Sequence, residues 1–381
     1  MKKLGAVLCG FLLFIGVLIG FKIHMDIEIG NNKAGVRDLR TYERFWSSEA
    51  QAAVIDSNTL PIFGSSELTE LSNYEENVGS FLNGEQMNII TIGAGNFQSL
   101  NHAITLGAIA DDLETKKVAL FLSPQWFDSD GCEAGAYAAR MSENELLGFL
   151  CNPKISKETK LFVLERTESL LVNSPIQLAR VQKYHNAIKN PVSPDTIYMW
   201  IMNVYWDYRA EYEVYKQLDR VNNDVPSYDL ESLDFNEILE LAEKQGQESC
   251  TNNTFGVYDE YWDTYVANVF SAGEVVDKTQ QYTSSPEYYD LQCFLDVAKE
   301  LGIEVIAISI PVNGPWYEYT GVLCDDYYYN VSNICAKYDN VTFADMSIYE
   351  DELYFFKDIM HLGWKGWTRV NEVLYTEFTK E

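Results

Sequence analysis

The chain has 381 residues, 47% of them apolar and 14% aromatic, enough to build one large α/β domain with insertions or two domains. A formal charge of −29 argues against nucleic acid as a partner, since a polyphosphate is held by lysine and arginine. The acidity is spread along the whole soluble part and reads as a solubilising surface.

The N-terminus carries the clearest physical signal. Lys2 and Lys3 precede an uncharged apolar run over residues 4–21, and Lys22 and His24 follow it. A run of that length covers ~27 Å as a helix, close to the core of a bilayer. The leading lysines predict an N-in orientation, with everything after about residue 25 on the outer face. A cleaved signal peptide is the rival reading. Against it, the run is long for a signal core and no small-x-small cleavage site follows. Cys9 is preceded by Val7 and Leu8, which is not a lipoprotein pattern. The expected division is therefore an anchor over 1–25 and an extracytoplasmic domain over 26–381. Six cysteines lie outside the anchor (Cys132, Cys151, Cys250, Cys293, Cys324 and Cys335), and an oxidising compartment permits up to three disulfides among them. None sits in a CxxC pair. With four histidines in the chain, neither a metal site nor a cofactor is expected.

After the anchor, residues 39–53 read as a helix leading away from the membrane. A short apolar run over 60–63 then ends at Gly64, as a strand does when it hands over to a helix through a tight turn. Residues 69–86 read as an exposed, Glu-rich helix. Residues 87–92 are a β-branched strand ending in Gly93-Ala94-Gly95-Asn96, and the next helix sets Ala103, Leu106, Ile109, Ala110 and Leu113 on one face. Residues 118–122 form a third strand, ending in Ser123-Pro124-Gln125-Trp126-Phe127. Three strand–turn–helix units in succession predict a parallel, doubly wound sheet.

The pattern changes after Asp128, where a helical insertion or cap is expected over about 130–286. One of its helices, 197–218, is rich in Tyr and Trp; packing is the ordinary use of such a stripe and a ligand platform the alternative. The α/β pattern resumes with a helix over 288–301, a strand over 303–310 closed by Pro311, and a short strand over 341–344. Asp358-Ile-Met-His361 precedes a last helix over 365–379, which Trp364 and Trp367 are expected to anchor.

A hydroxyl nucleophile needs a base, a group that orients the base, and donors for the oxyanion. Parallel sheets put such groups on loops at the carboxyl ends of strands. Four segments qualify here: 64–67, 93–96, 123–126 and the loop with Asp358 and His361. Asp and His three apart let the carboxylate reach Nδ1 and leave Nε2 free to face a serine. Glu67 reads as a structural carboxylate at a helix start, and His102 as a packed histidine.

Gly64-x-Ser66, the Gly93–Gly95 turn, Ser123-Pro124-Gln125 and Asp358-x-x-His361 resemble, in that order, the blocks of SGNH (GDSL-type) hydrolases. Phe-Gly-Ser-Ser-Glu-Leu, Gly-Asn-Phe-Gln-Ser-Leu, Ser-Pro-Gln-Trp-Phe and Asp-x-x-His-Leu-Gly-Trp-Lys-Gly-Trp resemble the DltD family, over essentially the whole chain. The resemblance implies a three-layer α/β/α fold with a central parallel sheet, a helical insertion and an N-terminal transmembrane helix. It implies a catalytic Ser66–His361–Asp358 triad, with Ser65 the weaker choice of nucleophile. The oxyanion would be held by the Ser66 amide and an amide near Gly95. The position of the family's asparagine falls on Gln125, which either donates a hydrogen bond or only packs; Asn96 is an alternative donor.

The implied activity is D-alanylation of lipoteichoic acid outside the membrane, through a D-alanyl-serine and transfer to polymer hydroxyls. The implied partners are lipoteichoic acid, a D-alanyl donor, a membrane-bound O-acyltransferase of the same pathway and the bilayer itself. An acidic protein repels a polyphosphate, which predicts either a local basic path or engagement of the alanylated, cationic form. The alternatives are a thioesterase or esterase, a polysaccharide O-acetyltransferase, and a non-catalytic scaffold.

Overall fold

The computed structural model describes residues 2–69, 74–271, 282–321 and 324–380. Five strands, β1 (Thr59–Phe63), β2 (Asn88–Ile92), β3 (Lys117–Leu122), β4 (Glu304–Ser309) and β5 (Val341–Asp345), form one parallel sheet in the order β2-β1-β3-β4-β5. β1 is buried along its whole length, as a strand covered on both faces must be. Pro61 has no N–H to give, and the β1–β3 ladder begins just after it, at Ile62↔Ala119.

The helices of eight or more residues are α1 (Lys2–Asn31), α2 (Ser99–Ile109), α3 (Glu143–Cys151), α4 (Lys157–Leu170), α5 (Pro175–Lys189), α6 (Pro194–Tyr215), α7 (Phe235–Ser249), α8 (Glu287–Glu300), α9 (Asp325–Cys335) and α10 (Trp364–Thr379). Because side chains alternate along a strand, β3 sends Val118, Leu120 and Leu122 into one core and Ala119 and Phe121 into the other. The first core is closed by α2, α3 and α8; the second by α10, through Trp367, Val370 and Leu374. This is the three-layer α/β/α arrangement expected from the sequence. Helices α3 to α7 all lie between β3 and β4 in the chain.

α1 is long and apolar enough to cross a membrane, with a mean hydropathy of 2.6 and none of its apolar window buried against the protein. That is compatible with a single-pass anchor. The helix does not stop at residue 25 but continues to Asn31, and its far end packs on α6. Phe21 meets Tyr208, Tyr212 and Tyr215, while Lys22 pairs with Glu211 and Asp26.

Two expectations are corrected. Residues 39–53 are not one helix: short helices run over Lys33–Asp38, Tyr42–Phe45 and Ser48–Ala52. Within the middle one Arg44 turns inward, fully buried, and donates to the Leu39 and Thr91 carbonyls. Within 69–86, residues 70–73 lie outside the described part. The remainder holds one 3₁₀ turn, Tyr74–Glu76, and buries Glu76, Val78, Ser80 and Leu82, so it is neither helical nor exposed. The cysteines form no disulfide; Cys132, Cys293, Cys324 and Cys335 are buried thiols that pack as small apolar groups.

Candidate active site

The register levels the carboxyl ends of β1 and β2, with Phe63 opposite Ile92, while β3, whose Leu120 lies opposite Phe63, runs two residues further. Chain order reverses between β1 and β3, and the loops leaving them open a crevice at the point where parallel sheets bind ligands. The turns after β1 and β2 are tied together, since the Gly64 amide donates to Ile92 O at 3.1 Å. Gly93 sits at φ +130°, and a Cβ there would lie 1.9 Å from the Gly64 carbonyl oxygen. Only glycine lets the two turns come this close.

Ser66 opens a single 3₁₀ turn, Ser66–Leu68, and its Oγ lies 3.0 Å from His361 Nε2. On the other side of the ring, Nδ1 lies 2.9 Å from Asp358 Oδ2. Asp358 Oδ1 accepts from the Met360 and His361 amides at 2.8 and 2.7 Å, which fixes the carboxylate against the ring. Burial pushes the Asp358 carboxyl up. The hydrogen bond and charge of His361, with the two amides, more than offset that and hold it below the usual carboxylate range.

The loop bearing the pair is closed on itself. Lys357 N donates to His361 O, Gly363 N to Phe355 O, and Leu362 and Trp367 are buried beneath it. Trp367 thus anchors the last helix as expected, packing on Phe121.

Ser65 and Ser66 have different surroundings. Ser65 is buried, and its Oγ accepts from the Asn96 amide at 3.1 Å. That bond holds the second turn and leaves Ser66 as the hydroxyl in line with the histidine. Gly95 faces Ser66, since a Cβ on it would lie 3.9 Å from the serine Cβ. Neither the Ser66 nor the Gly95 amide is spent in the backbone hydrogen bonds of these turns. Both are therefore available to a developing oxyanion. Asn96 adopts φ +69° and is exposed, and its amide is taken by Ser65. Gln125 is engaged on both sides: Nε2 donates to Tyr317 Oη at 3.1 Å, and Oε1 accepts from Ser123 Oγ.

These groups surround a cavity of about 170 Å³, lined by Ser66, Glu67, Asn96, Gln98, Ser123, Gln125, Trp126, Ile310, Met360, His361 and Leu362. All six residues singled out from sequence therefore lie here or directly behind it: Ser66, His361, Asn96 and Gln125 line the cavity, Asp358 orients the ring from below, and Gly95 faces the serine from the rim. Asn96 lines the rim without a free amide. Glu67 accepts from the Ser65 amide at 2.7 Å and is also the one carboxylate among the lining side chains. Burial raises its pKa above the usual value. His102 is fully buried between Phe63, Phe97 and Trp126, and burial pushes it down to about 3, so it stays neutral and packs.

Sequence reasoning missed Arg140 and Tyr317. Arg140 Nε donates to Gly95 O at 2.8 Å while its guanidinium stacks over Tyr42, which fixes the peptide that follows Gly95. Neither residue has a local signature. Arg140 ends a short helix, Ala134–Arg140, 45 positions from its target.

A parallel α/β sheet that raises a serine, a histidine and an aspartate into one hydrogen-bonded line at its carboxyl edge has the build of an SGNH-type fold. Comparison with known proteins narrows this. A family model described as "DltD protein" matches residues 41–379, and the chain belongs to that family. It is 30% identical over 338 residues to Protein DltD of Bacillus subtilis (strain 168), covering 85% of this chain and 83% of that protein. It is 25% identical over 319 residues to Protein DltD of Staphylococcus aureus (strain NCTC 8325 / PS 47), covering 82% and 79%. The protein of the same name from Lacticaseibacillus rhamnosus is 25% identical over 335 residues, covering 83% and 77%.

Proposed function

We propose that this chain acts in the D-alanylation of lipoteichoic acid, taking a D-alanyl group onto Ser66 and passing it to a polymer hydroxyl. The observation that carries the reading is the continuous line Asp358–His361–Ser66 at the mouth of a small cavity. In the first half-reaction Ser66 Oγ attacks the D-alanyl carbonyl and its proton passes to His361 Nε2. The oxyanion is met by the Ser66 and Gly95 amides. Collapse breaks the bond to the donor's leaving group, which takes the proton from His361. In the second half-reaction the polymer hydroxyl gives its proton to His361 and attacks the ester, and Ser66 leaves with that proton.

The size and charge of the cavity support D-alanyl over other acyl groups. A cavity of about 170 Å³ suits a small acyl group such as alanyl or acetyl. Among the described residues Glu67 is the only acidic one lining the cavity and no lysine or arginine lines it, which suits an acyl group that carries an ammonium. It also favours engagement of the cationic alanylated form over a basic path at the cavity itself.

In this reading residues 1–25 anchor the chain with its N-terminus inside, and 26–381 work on the outer face with the 130–286 segment as an insertion. The donor machinery includes a membrane-bound O-acyltransferase, and the acceptor is held at the same bilayer. The test is the D-alanine ester content of the envelope in a deletion strain complemented with wild type or Ser66→Ala at matched protein levels. Loss of esters with the alanine variant supports the acyl-enzyme. Full restoration would leave a non-catalytic scaffold as the better account.

A further inference from the structure

Helix α6 carries an apolar stripe that the site does not use. From Thr196 to Trp206 it holds no charged residue. Ile197, Trp200, Ile201, Val204 and Tyr205 follow the i, i+3, i+4, i+7, i+8 spacing of a helix face made for burial, yet they are 65, 65, 51, 53 and 48% exposed. Val192, in the turn just before the helix, is 93% exposed.

The stripe is continuous with a contact already described. Further along the same face, Tyr208, Tyr212 and Tyr215 pack on Phe21 of α1, the last residue of its apolar run. The face therefore touches α1 at the level where that helix leaves the bilayer, and the bare part lies within about 16 Å of that contact. Its chemistry suits the same level. Tryptophan and tyrosine favour the membrane–water boundary, and a helix lying there pairs an apolar face with basic flanks. Lys183 sits over Tyr198, Arg209 over Trp206 and Lys216 over Tyr212, while the helix's own acids, Asp195, Asp207, Glu211 and Glu213, all lie outside 196–206.

We propose that α6 lies in the headgroup region of the outer leaflet, with its stripe seated among lipid acyl chains. The folded domain is then held flat against the membrane in one orientation instead of swinging on α1. This rests on the reading of α1 as a membrane anchor.

The test uses the full chain, one copy per lipid nanodisc, in phosphatidylcholine with plain or brominated acyl chains. Bromine quenches tryptophan on contact. Residues 1–31 contain no tryptophan, so the anchor itself is silent. The chain has eight tryptophans, so seating Trp200 in lipid predicts that brominated lipid removes roughly one tryptophan's share, about an eighth, of the emission. In Trp200→Phe that loss disappears. Equal emission in the two lipids with the chain incorporated overturns the proposal and leaves the stripe to a protein partner. A loss that Trp200→Phe does not change overturns it too. A chain that fails to enter the discs at all overturns the anchor reading, and this proposal with it.

Discussion

Replacing Asp358 by asparagine separates the chemistry of the site from its fold. Asp358 Oδ1 accepts two amides, at 2.8 and 2.7 Å, and Oδ2 accepts from His361 Nδ1 at 2.9 Å. Asparagine keeps both amide bonds when its oxygen takes the Oδ1 position, which puts its NH₂ against Nδ1. That group can only donate, so Nδ1 must become the acceptor and the ring proton moves to Nε2, 3.0 Å from Ser66 Oγ. A protonated Nε2 cannot take the serine's proton. The expected loss is ~10⁴-fold in rate, the size seen when a triad histidine is held in the wrong tautomer. That corresponds to about 5 kcal/mol of barrier. Folding stability should fall by only ~1–2 kcal/mol, because both amide bonds survive and the charge-assisted bond to the ring is replaced by a weaker neutral one of reversed direction.

The rate is read as initial incorporation of labelled D-alanine into envelope esters, and stability as the urea midpoint of the purified full chain. Incorporation within tenfold of wild type, with the fold intact, would refute the role of Asp358 in orienting a histidine base. Since Asp358 titrates below the ordinary carboxylate range, its stabilisation is fully present above about pH 4 and is lost only as acid takes the pH through its lowered value.

Two further outcomes follow from the same geometry. Gly93→Ala sets a Cβ 1.9 Å from a backbone oxygen at φ +130°, so β1 and β2 must part at their carboxyl ends; we expect a loss of roughly 3–5 kcal/mol in urea unfolding, and a loss under about 1 kcal/mol contradicts the close approach. Glu145 is buried, which pushes its carboxyl up to about 8. Two donors, Thr105 Oγ1 to Oε2 at 2.8 Å and Gln51 Nε2 to Oε1 at 2.9 Å, offset that burial only in part. Between pH 4.5 and about 8 the folded chain keeps a proton that the unfolded chain has released, so this residue makes stability fall as pH rises through that window. Glu145→Gln should flatten the fall by an amount on the order of 4 kcal/mol at most, read as the difference between the two proteins' urea stabilities at pH 5 and pH 8.5. Parallel pH profiles would show that Glu145 is ionised in the fold.

The strands, the turns after β1, β2 and β3, the apolar first helix and the residues of the Asp358–His361–Ser66 line were all legible in the sequence. The strands, turns and first helix rest on local rules (period, turn chemistry and apolar length), and the three-residue step marked Asp358 with His361; the choice of Ser66 as their partner came from the resemblance to the SGNH and DltD blocks. What the sequence left open was decided by packing between distant segments. Ser66 meets His361 across 295 positions, and whether they would meet at hydrogen-bond distance depended on the strand order β2-β1-β3-β4-β5. Residues 39–53 have helical composition, yet they fold as short separate helices, with Arg44 buried against the end of β2, a contact no local rule foretells. Gln125 turned to Tyr317, 192 residues away, and Arg140 reached Gly95, partners that no spacing rule connects. The aromatic stripe of α6 has a period that states only that one face is apolar. What covers that face is set by where the fold leaves it, beside α1, because periodicity fixes direction on a helix and tertiary structure supplies the neighbour.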